Sequence, residues 1–261
     1  MVFDFTKASL AGQIVPTELE NIMLDATTDL KSMLKRPDLV CSQAFVGGEW
    51  VDAKSGKTFD VTNPARGDVI ATVTDLDRSE ITQAIDAAHK SQKAWAALAA
   101  KERAKVLRKW FDLLMANQED LAIIMTAEQG KPLVESRGEV AYGASFVEWF
   151  GEEAKRNYGE TIPGHMADKR ITVIKQPIGV AAAITPWNFP NAMIARKVAP
   201  ALAAGCSFVV RPASLTPLSA LAMAKLAEEA GVPKGVLSVV TSTKSSDVGK
   251  EFCENPIVRK L

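Results

Sequence analysis

The sequence predicts an α/β protein in which a parallel sheet is covered by helices on both faces. Three observations carry that prediction. From Gly179 onward short, wholly apolar runs (Val180 to Ile184, Phe208 to Val210, Val236 to Val240) alternate with helical stretches (Met193 to Ala204, Leu218 to Ala230), as strands buried on both faces do. The strand-to-strand spacing is close to the roughly 30 residues of a βαβ unit. Upstream, the stretch between Asp77 and Tyr158 carries apolar residues at the helical period. A chain of 261 residues, 47% hydrophobic and 24% charged, can bury a core for one large or two modest domains.

The elements follow in order. Residues 1–42 read as an amino-terminal extension: Pro16 opens a segment with Leu19, Ile22, Met23, Ala26, Leu30, Met33 and Leu34 at helical spacing, and Pro37 closes it. One apolar face implies docking, onto the body of the domain, a neighbouring subunit or a partner protein. Between Ala44 and Thr74, Gly47-Gly48 and Asn63-Pro64-Ala65-Arg66-Gly67 break apolar stretches into hairpins. Asp77 followed by Glu80 is a capping-box variant ahead of Ile81, Ala84, Ile85 and Ala88; Leu107, Trp110, Phe111 and Leu114 mark the next helix. In residues 159–177, Ile171, Val173 and Ile174 lie among polar residues beyond the turn Pro163-Gly164. This is a β-ribbon leaving the main body, formed from residues 43–158 and 178–261. A ribbon poor in core contacts is more stable paired with another subunit, so it is read as an oligomerisation element.

Composition excludes several functions. The formal net charge is zero and no basic stripe alternates with aromatics, which removes nucleic acid as a partner. No apolar run approaches the roughly 20 residues of a membrane span, and residues 1–40 carry no basic flank leading into an apolar signal core; the expectation is a cytoplasmic protein. Cys41, Cys206 and Cys253 are too few and scattered for a disulfide framework, and no Cys/His cluster has metal-ligand spacing, so no metal is expected. His89 and His165 sit in no motif and read as solvated or hydrogen-bonded, not catalytic.

No GxGxxG occurs, so a cofactor reading rests on other residues. Ile184-Thr185-Pro186-Trp187-Asn188-Phe189-Pro190 lies where an apolar strand gives way to a helix, the edge of a parallel sheet at which ligands bind. Two readings stay open there. Two prolines stiffen a turn that presents the Asn188 amide as a pre-aimed donor for a developing oxyanion; or the turn is only a rigid connection, with Asn188 capping the helix and Trp187 filling core.

Thr185 to Pro190, Glu128-Gln129-Gly130-Lys131-Pro132-Leu133, Pro200-Ala201-Leu202-Ala203-Ala204-Gly205-Cys206 and Arg211-Pro212-Ala213-Ser214-Leu215-Thr216-Pro217 closely resemble segments of the aldehyde dehydrogenase superfamily, in order from about Gln43 to Leu261. Gly159-Glu160-Thr161-Ile162-Pro163-Gly164-His165 and Lys175-Gln176-Pro177-Ile178-Gly179-Val180 are most similar to the succinate-semialdehyde branch. The resemblance implies a Rossmann-type cofactor domain and oxidation of succinate semialdehyde, or a related short aldehyde, with NAD(P). It implies that Asn188 stabilises the oxyanion, that Trp187 and Asn188 line the cofactor cleft, and that Arg211, Pro212, Ala213 and Ser214 contact the adenosine ribose. Arg211 stands where the family usually has lysine and Ser214 is no carboxylate, so a 2′-phosphate meets a guanidinium and no repulsion from position 214; NADP is favoured, with NAD possible. Arg196, eight residues after Asn188, is implied to hold the substrate's distal carboxylate. The adjacent Lys197 is easily mistaken for it.

The resemblance places the Gly-Ser-Thr turn, the general-base Glu and the nucleophilic Cys beyond the segment matching Asn255 to Leu261, so the catalytic domain is expected to be absent. Cys206, Cys41 and Cys253 match no catalytic motif, and Glu128, Glu152 and Glu153 read as helix-surface or packing residues. The 261 residues alone are expected to be inactive and, with apolar surface uncovered, to associate; the full-length form is expected to be a homo-oligomer. The alternative is a non-catalytic cofactor-binding or assembly module.

Overall fold

A computed structural model describes residues 29–261. The helix expected from Pro16 falls mostly outside them. Its described end differs from expectation: Leu30–Met33 is a short 3-10 turn, and Pro37 opens a second, Pro37–Leu39, rather than closing a helix. A proline's missing N–H costs nothing in a first turn, which explains the place. Leu30, Leu34 and Leu39 are buried in the main core, and buried Asp120 accepts the backbone N–H groups of Lys35 (3.1 Å) and Arg36 (2.7 Å). This part of the extension is docked on the body of its own chain.

Ten strands are described among residues 29–261. β1 (Ala44–Val46) and β2 (Glu49–Val51) form a hairpin, as do β3 (Thr58–Thr62) and β4 (Val69–Thr74). Gly47 and Gly48 turn the first with φ of 63° and 86°, a backbone that side chains resist, and a Cβ on Gly48 would come within 2.5 Å of the Lys234 Cβ. Helices α1 (Arg78–Ala97), α2 (Ala100–Ala116), α3 (Gln118–Gln129) and α4 (Leu133–Glu153) follow. The capping box is formed: the Asp77 carboxylate accepts from Ser79 N and Glu80 N, and Glu80 Oε2 accepts from Asp77 N.

The ribbon is β5 (Glu160–Pro163) paired antiparallel with β6 (Arg170–Val173), every residue of both strands exposed. Beyond it run β7 (Val180–Ile184), α5 (Ala192–Ala203), β8 (Ser207–Arg211), α6 (Pro217–Ala230), β9 (Leu237–Val239), α7 (Ser245–Glu254) and β10 (Val258–Lys260). The sheet order is β10-β7-β8-β9-β1-β2. Its first four strands are parallel, whereas the β1–β2 hairpin adds antiparallel to the β9 edge, so the sheet is mixed rather than wholly parallel. A hairpin closed by a two-residue turn runs antiparallel within itself and here covers an edge that would otherwise expose unpaired N–H and C=O groups.

The two-residue period of the strands assigns their faces. Ala181, Ala183, Phe208, Val210, Leu237 and Val239 point into the larger core, against α2 to α6. Val180, Ala182, Val209 and Val240 point the other way, onto Ile81, Ala84, Ile85 and Ala88 of α1 and Val248 and Phe252 of α7. Helices thus cover both faces and leave the carboxyl ends of β7 and β8 for loops.

Candidate active-site edge

β7 and β8 are neighbouring parallel strands in register, with Ile184 opposite Arg211, so the loops at residues 185–191 and 212–216 leave the same edge. The Thr185 N–H donates to the Arg211 carbonyl at 3.0 Å and ties the loop bases together. In the first loop Pro186, Trp187, Asn188 and Phe189 are exposed, while Pro190 and Asn191 are buried. Trp187, 52% exposed, fills no core, and Asn188 does not cap the helix: the residue before α5 is Asn191. The bare connecting-loop reading is therefore wrong in both particulars, and the Asn188 side-chain amide makes no hydrogen bond among the described residues.

The cap of α5 comes from elsewhere. Glu139 on α4, almost wholly buried, accepts the N–H groups of Asn191 (2.9 Å) and Ala192 (3.2 Å) on one oxygen and pairs with the Lys131 ammonium on the other. Lys131 Nζ also donates to the Asn188 carbonyl at 3.0 Å and lies 4.3 Å from the Phe189 ring centroid. A buried pair therefore grips both the loop and the first turn of its helix. Gly130, at φ 87°, ends α3 in the left-handed conformation that turns the chain into Lys131.

The second loop is supported in the same way. Glu128 on α3 is buried, and its two oxygens accept the N–H groups of Leu218 (2.7 Å) and Ser219 (2.8 Å) at the start of α6. Glu128 is thus no surface residue. Burial pushes its carboxyl up to about 7; hydrogen bonding from Ser219 and from the Leu218 N–H pulls it down and loses, and nearby Glu139 adds to the rise. Pro212 and Ala213 are buried and Ser214 is half-buried. Arg211 is buried too. Its Nε (3.2 Å) and Nη2 (2.8 Å) both donate to the Ser242 carbonyl, and burial holds the guanidinium below its ordinary range against the pull of Asp75. Asp75 is itself engaged by the N–H and hydroxyl of Thr243, each at 2.8 Å.

Arg196 and Lys197 part company on α5. Lys197 is half-buried and donates to the Met193 carbonyl at 3.1 Å, burial lowering its pKa. Arg196 is exposed, its guanidinium 5.6 Å from the Phe146 ring centroid and its Nη1 4.0 Å from the Met193 sulfur, free to meet an anion from solvent. Cys206 is buried ahead of β8, at the opposite end of that strand from Arg211. Cys41 is half-buried, its thiol pushed up to about 11 by burial, and Cys253 is exposed on α7. Among the described residues no cluster of His, Cys, Asp and Glu has the arrangement of a metal site, and no helix is long and apolar enough to cross a membrane.

This edge carries the Asn188 turn on one strand and the Arg-Pro-Ala-Ser segment on the next, and the sequence model of the aldehyde dehydrogenase family matches residues 50–261. The chain belongs to the aldehyde dehydrogenase family. It is 64% identical over 228 residues to a glutarate-semialdehyde dehydrogenase of Pseudomonas aeruginosa and 60% identical over 228 residues to a succinate-semialdehyde dehydrogenase [NADP(+)] of Escherichia coli. Each match covers 87% of this chain and 47% of the relative. The crystal structure of an aldehyde dehydrogenase from Brucella melitensis biovar abortus 2308 superposes with a TM-score of 0.86 at 61% identity, again over 87% of this chain and 47% of that one. The chain spans about half the length of the curated relatives it matches.

The sequence marks the Asn188 turn as a sheet edge, but not that the Arg211 loop leaves the same edge, nor what holds the two loops. Glu139 carried a legible signal: Ser136, Glu139, Val140, Gly143, Ala144 and Val147 share one helical face, and all six are buried. A carboxylate on that face has to find partners.

Proposed function

We propose that these residues form the cofactor half of an NAD(P)-dependent dehydrogenase that oxidises short aldehydes bearing a distal carboxylate, succinate semialdehyde first among them. The observation that carries the reading is the shared edge: an Asn188 amide with no hydrogen bond among the described residues, beside the loop of Arg211, Pro212, Ala213 and Ser214. A side-chain N–H donor held on a braced loop suits the oxyanion of an aldehyde under nucleophilic attack, and loss of one such donor costs about 2.7–4 kcal/mol in comparable sites. Exposed Arg196, on the helix that the same loop enters, is placed to take the far carboxylate of a substrate reaching in from solvent. The two relatives named above bear the names of a four-carbon and a five-carbon semialdehyde, both carboxylates.

Trp187 and Asn188 would line the nicotinamide cleft, with Arg211 to Ser214 at the adenosine ribose. Ser214 is half-buried and there is no carboxylate at position 214 to repel a 2′-phosphate, which favours NADP over NAD, while Arg211, buried against the Ser242 carbonyl, adds positive charge at the strand end. When bound, the cofactor supplies the hydride acceptor. None of the three cysteines stands at this edge, so we read the thiolate, and with it the water-activating base, as lying outside these residues and the 261-residue chain alone as catalytically silent. The exposed β5–β6 ribbon is the surface through which the whole enzyme would assemble as a homo-oligomer.

Calorimetric titration of the chain and of Ser214→Glu with NADPH and NADH tests the cofactor reading. Tighter binding of NADPH than NADH by the parent, reversed in Ser214→Glu, is expected; equal selectivity in the two proteins would refute the assignment of Ser214 to the ribose site.

A further inference from the structure

The Lys131–Glu139 pair has no role in the chemistry just proposed, yet it is the most deeply buried ion pair described: the side chains are 10% and 1% exposed. A buried pair is a poor source of stability relative to apolar packing, because desolvation cancels most of the attraction. Its value here is geometric. Lys131 reaches across from the turn after α3 to the carbonyl of Asn188 itself and to the ring of Phe189, while Glu139 fixes the next two N–H groups, those of Asn191 and Ala192. Four consecutive contacts along residues 188–192 thus converge on two side chains. Neither Pro186 nor Pro190 achieves this, since proline restricts its own φ but leaves the loop free to pivot at Trp187 and Asn188.

We propose that Lys131 is a positioning residue, oriented by Glu139, that holds the Asn188 backbone from which the side-chain amide projects, and so sets the place where an oxyanion is stabilised. The inference rests on the oxyanion reading of Asn188, but the clamp can be tested without turnover. The ammonium donates along separate directions to the Glu139 carboxylate and the Asn188 carbonyl while its third face meets the Phe189 ring. A methionine of similar length keeps the packing and loses every polar contact; an arginine keeps the charge and can restore both.

The experiment is nuclear magnetic resonance on the 261-residue chain, reading the order of the Asn188 backbone amide and the amide hydrogen exchange of Asn191 and Ala192. Leu218 and Ser219, capped by Glu128 in the same manner, are the internal control. In Lys131→Met and in Glu139→Gln the Asn188 backbone amide is expected to become mobile, and Asn191 and Ala192 to exchange about tenfold faster, the equivalent of one lost hydrogen bond. Leu218 and Ser219 should hold, and Lys131→Arg should recover most of the order. An Asn188 backbone amide as ordered in Lys131→Met as in the parent would overturn the proposal. So would an opening that spreads equally to Leu218 and Ser219, or one that Lys131→Arg fails to reverse, since either marks general destabilisation. Order lost as expected, with Asn188→Ala leaving aldehyde oxidation by the complete enzyme unchanged, would uphold the clamp and remove only the oxyanion reading.

Discussion

Replacing Glu128 by glutamine should change how the stability of this protein depends on pH. The carboxyl is buried under α6, and its pKa rises from 4.5 to about 7 because the loss of water outweighs two N–H donors. The folded state therefore binds this proton more tightly than the unfolded chain does. Between pH 4.5 and 7 the native state carries more protons, so stability falls as pH rises through that window, and the full penalty stands above pH 7. The interval corresponds to about 3 kcal/mol, a large share of the 5–15 kcal/mol that stabilises a typical domain. Asp77, held low by the Ser79 hydroxyl and the α1 cap, and Glu119, held low by Arg137, act in the opposite sense and at lower pH. Glu128→Gln keeps the shape and one acceptor oxygen but cannot ionise. Urea unfolding followed by far-ultraviolet circular dichroism at pH 5 and pH 8 reads the difference. The parent should lose about 2–3 kcal/mol across that span, and the variant should be nearly flat. The variant should also be the less stable protein at pH 5, by about 1–3 kcal/mol, because its NH2 group faces one of the helix N–H donors. An identical pH slope in both proteins would refute the claim that desolvation dominates at this carboxylate.

Two further substitutions probe the frame around the site. Gly130→Ala puts a Cβ at a backbone φ of 87° and 2.8 Å from the Pro64 ring. A loss of about 1–3 kcal/mol in thermal or urea unfolding is expected, and an unchanged midpoint would show that the turn into Lys131 tolerates a side chain. Asp77→Ala removes the acceptor for two helix N–H groups at the start of α1, and should cost about 1 kcal/mol in the same measurement, with no change in nucleotide binding.

Much of the architecture was legible because it follows from local chemistry. The apolar runs at Val180, Phe208 and Val236 have few alternatives to buried strands, and Asp77 with Glu80 supplies both halves of a capping box. The mixed edge of the sheet was not legible, because nothing in Ala44 to Val51 says which neighbour the hairpin joins; that is decided by the bare edge of β9, about 190 residues away. Pro37 shows the limit of reading proline as a stop, since the same residue starts a turn equally well. At the site, the Asn188 turn stood out through its residues and the Arg211 loop through the family resemblance, whereas the contacts that support them did not. Arg211 and Glu128 are charged residues on elements whose surface and core faces only the tertiary structure distinguishes, and each is buried against a distant backbone group; Glu139 lies on a helical face whose small and apolar neighbours already mark it as buried. Arg196 and Lys197 are indistinguishable as neighbours in sequence; one helical step sends one to solvent and the other to the Met193 carbonyl.

On the proposed reading, this chain holds the cofactor side of an aldehyde-oxidising site and none of its nucleophilic machinery. Purified chain 1–261 should be incubated with succinate semialdehyde and NADP or NAD, with reduced cofactor followed by absorbance at saturating concentrations. The account predicts no formation of NADPH or NADH above a control without protein; sustained turnover would contradict it and would place a working nucleophile among Cys41, Cys206 and Cys253.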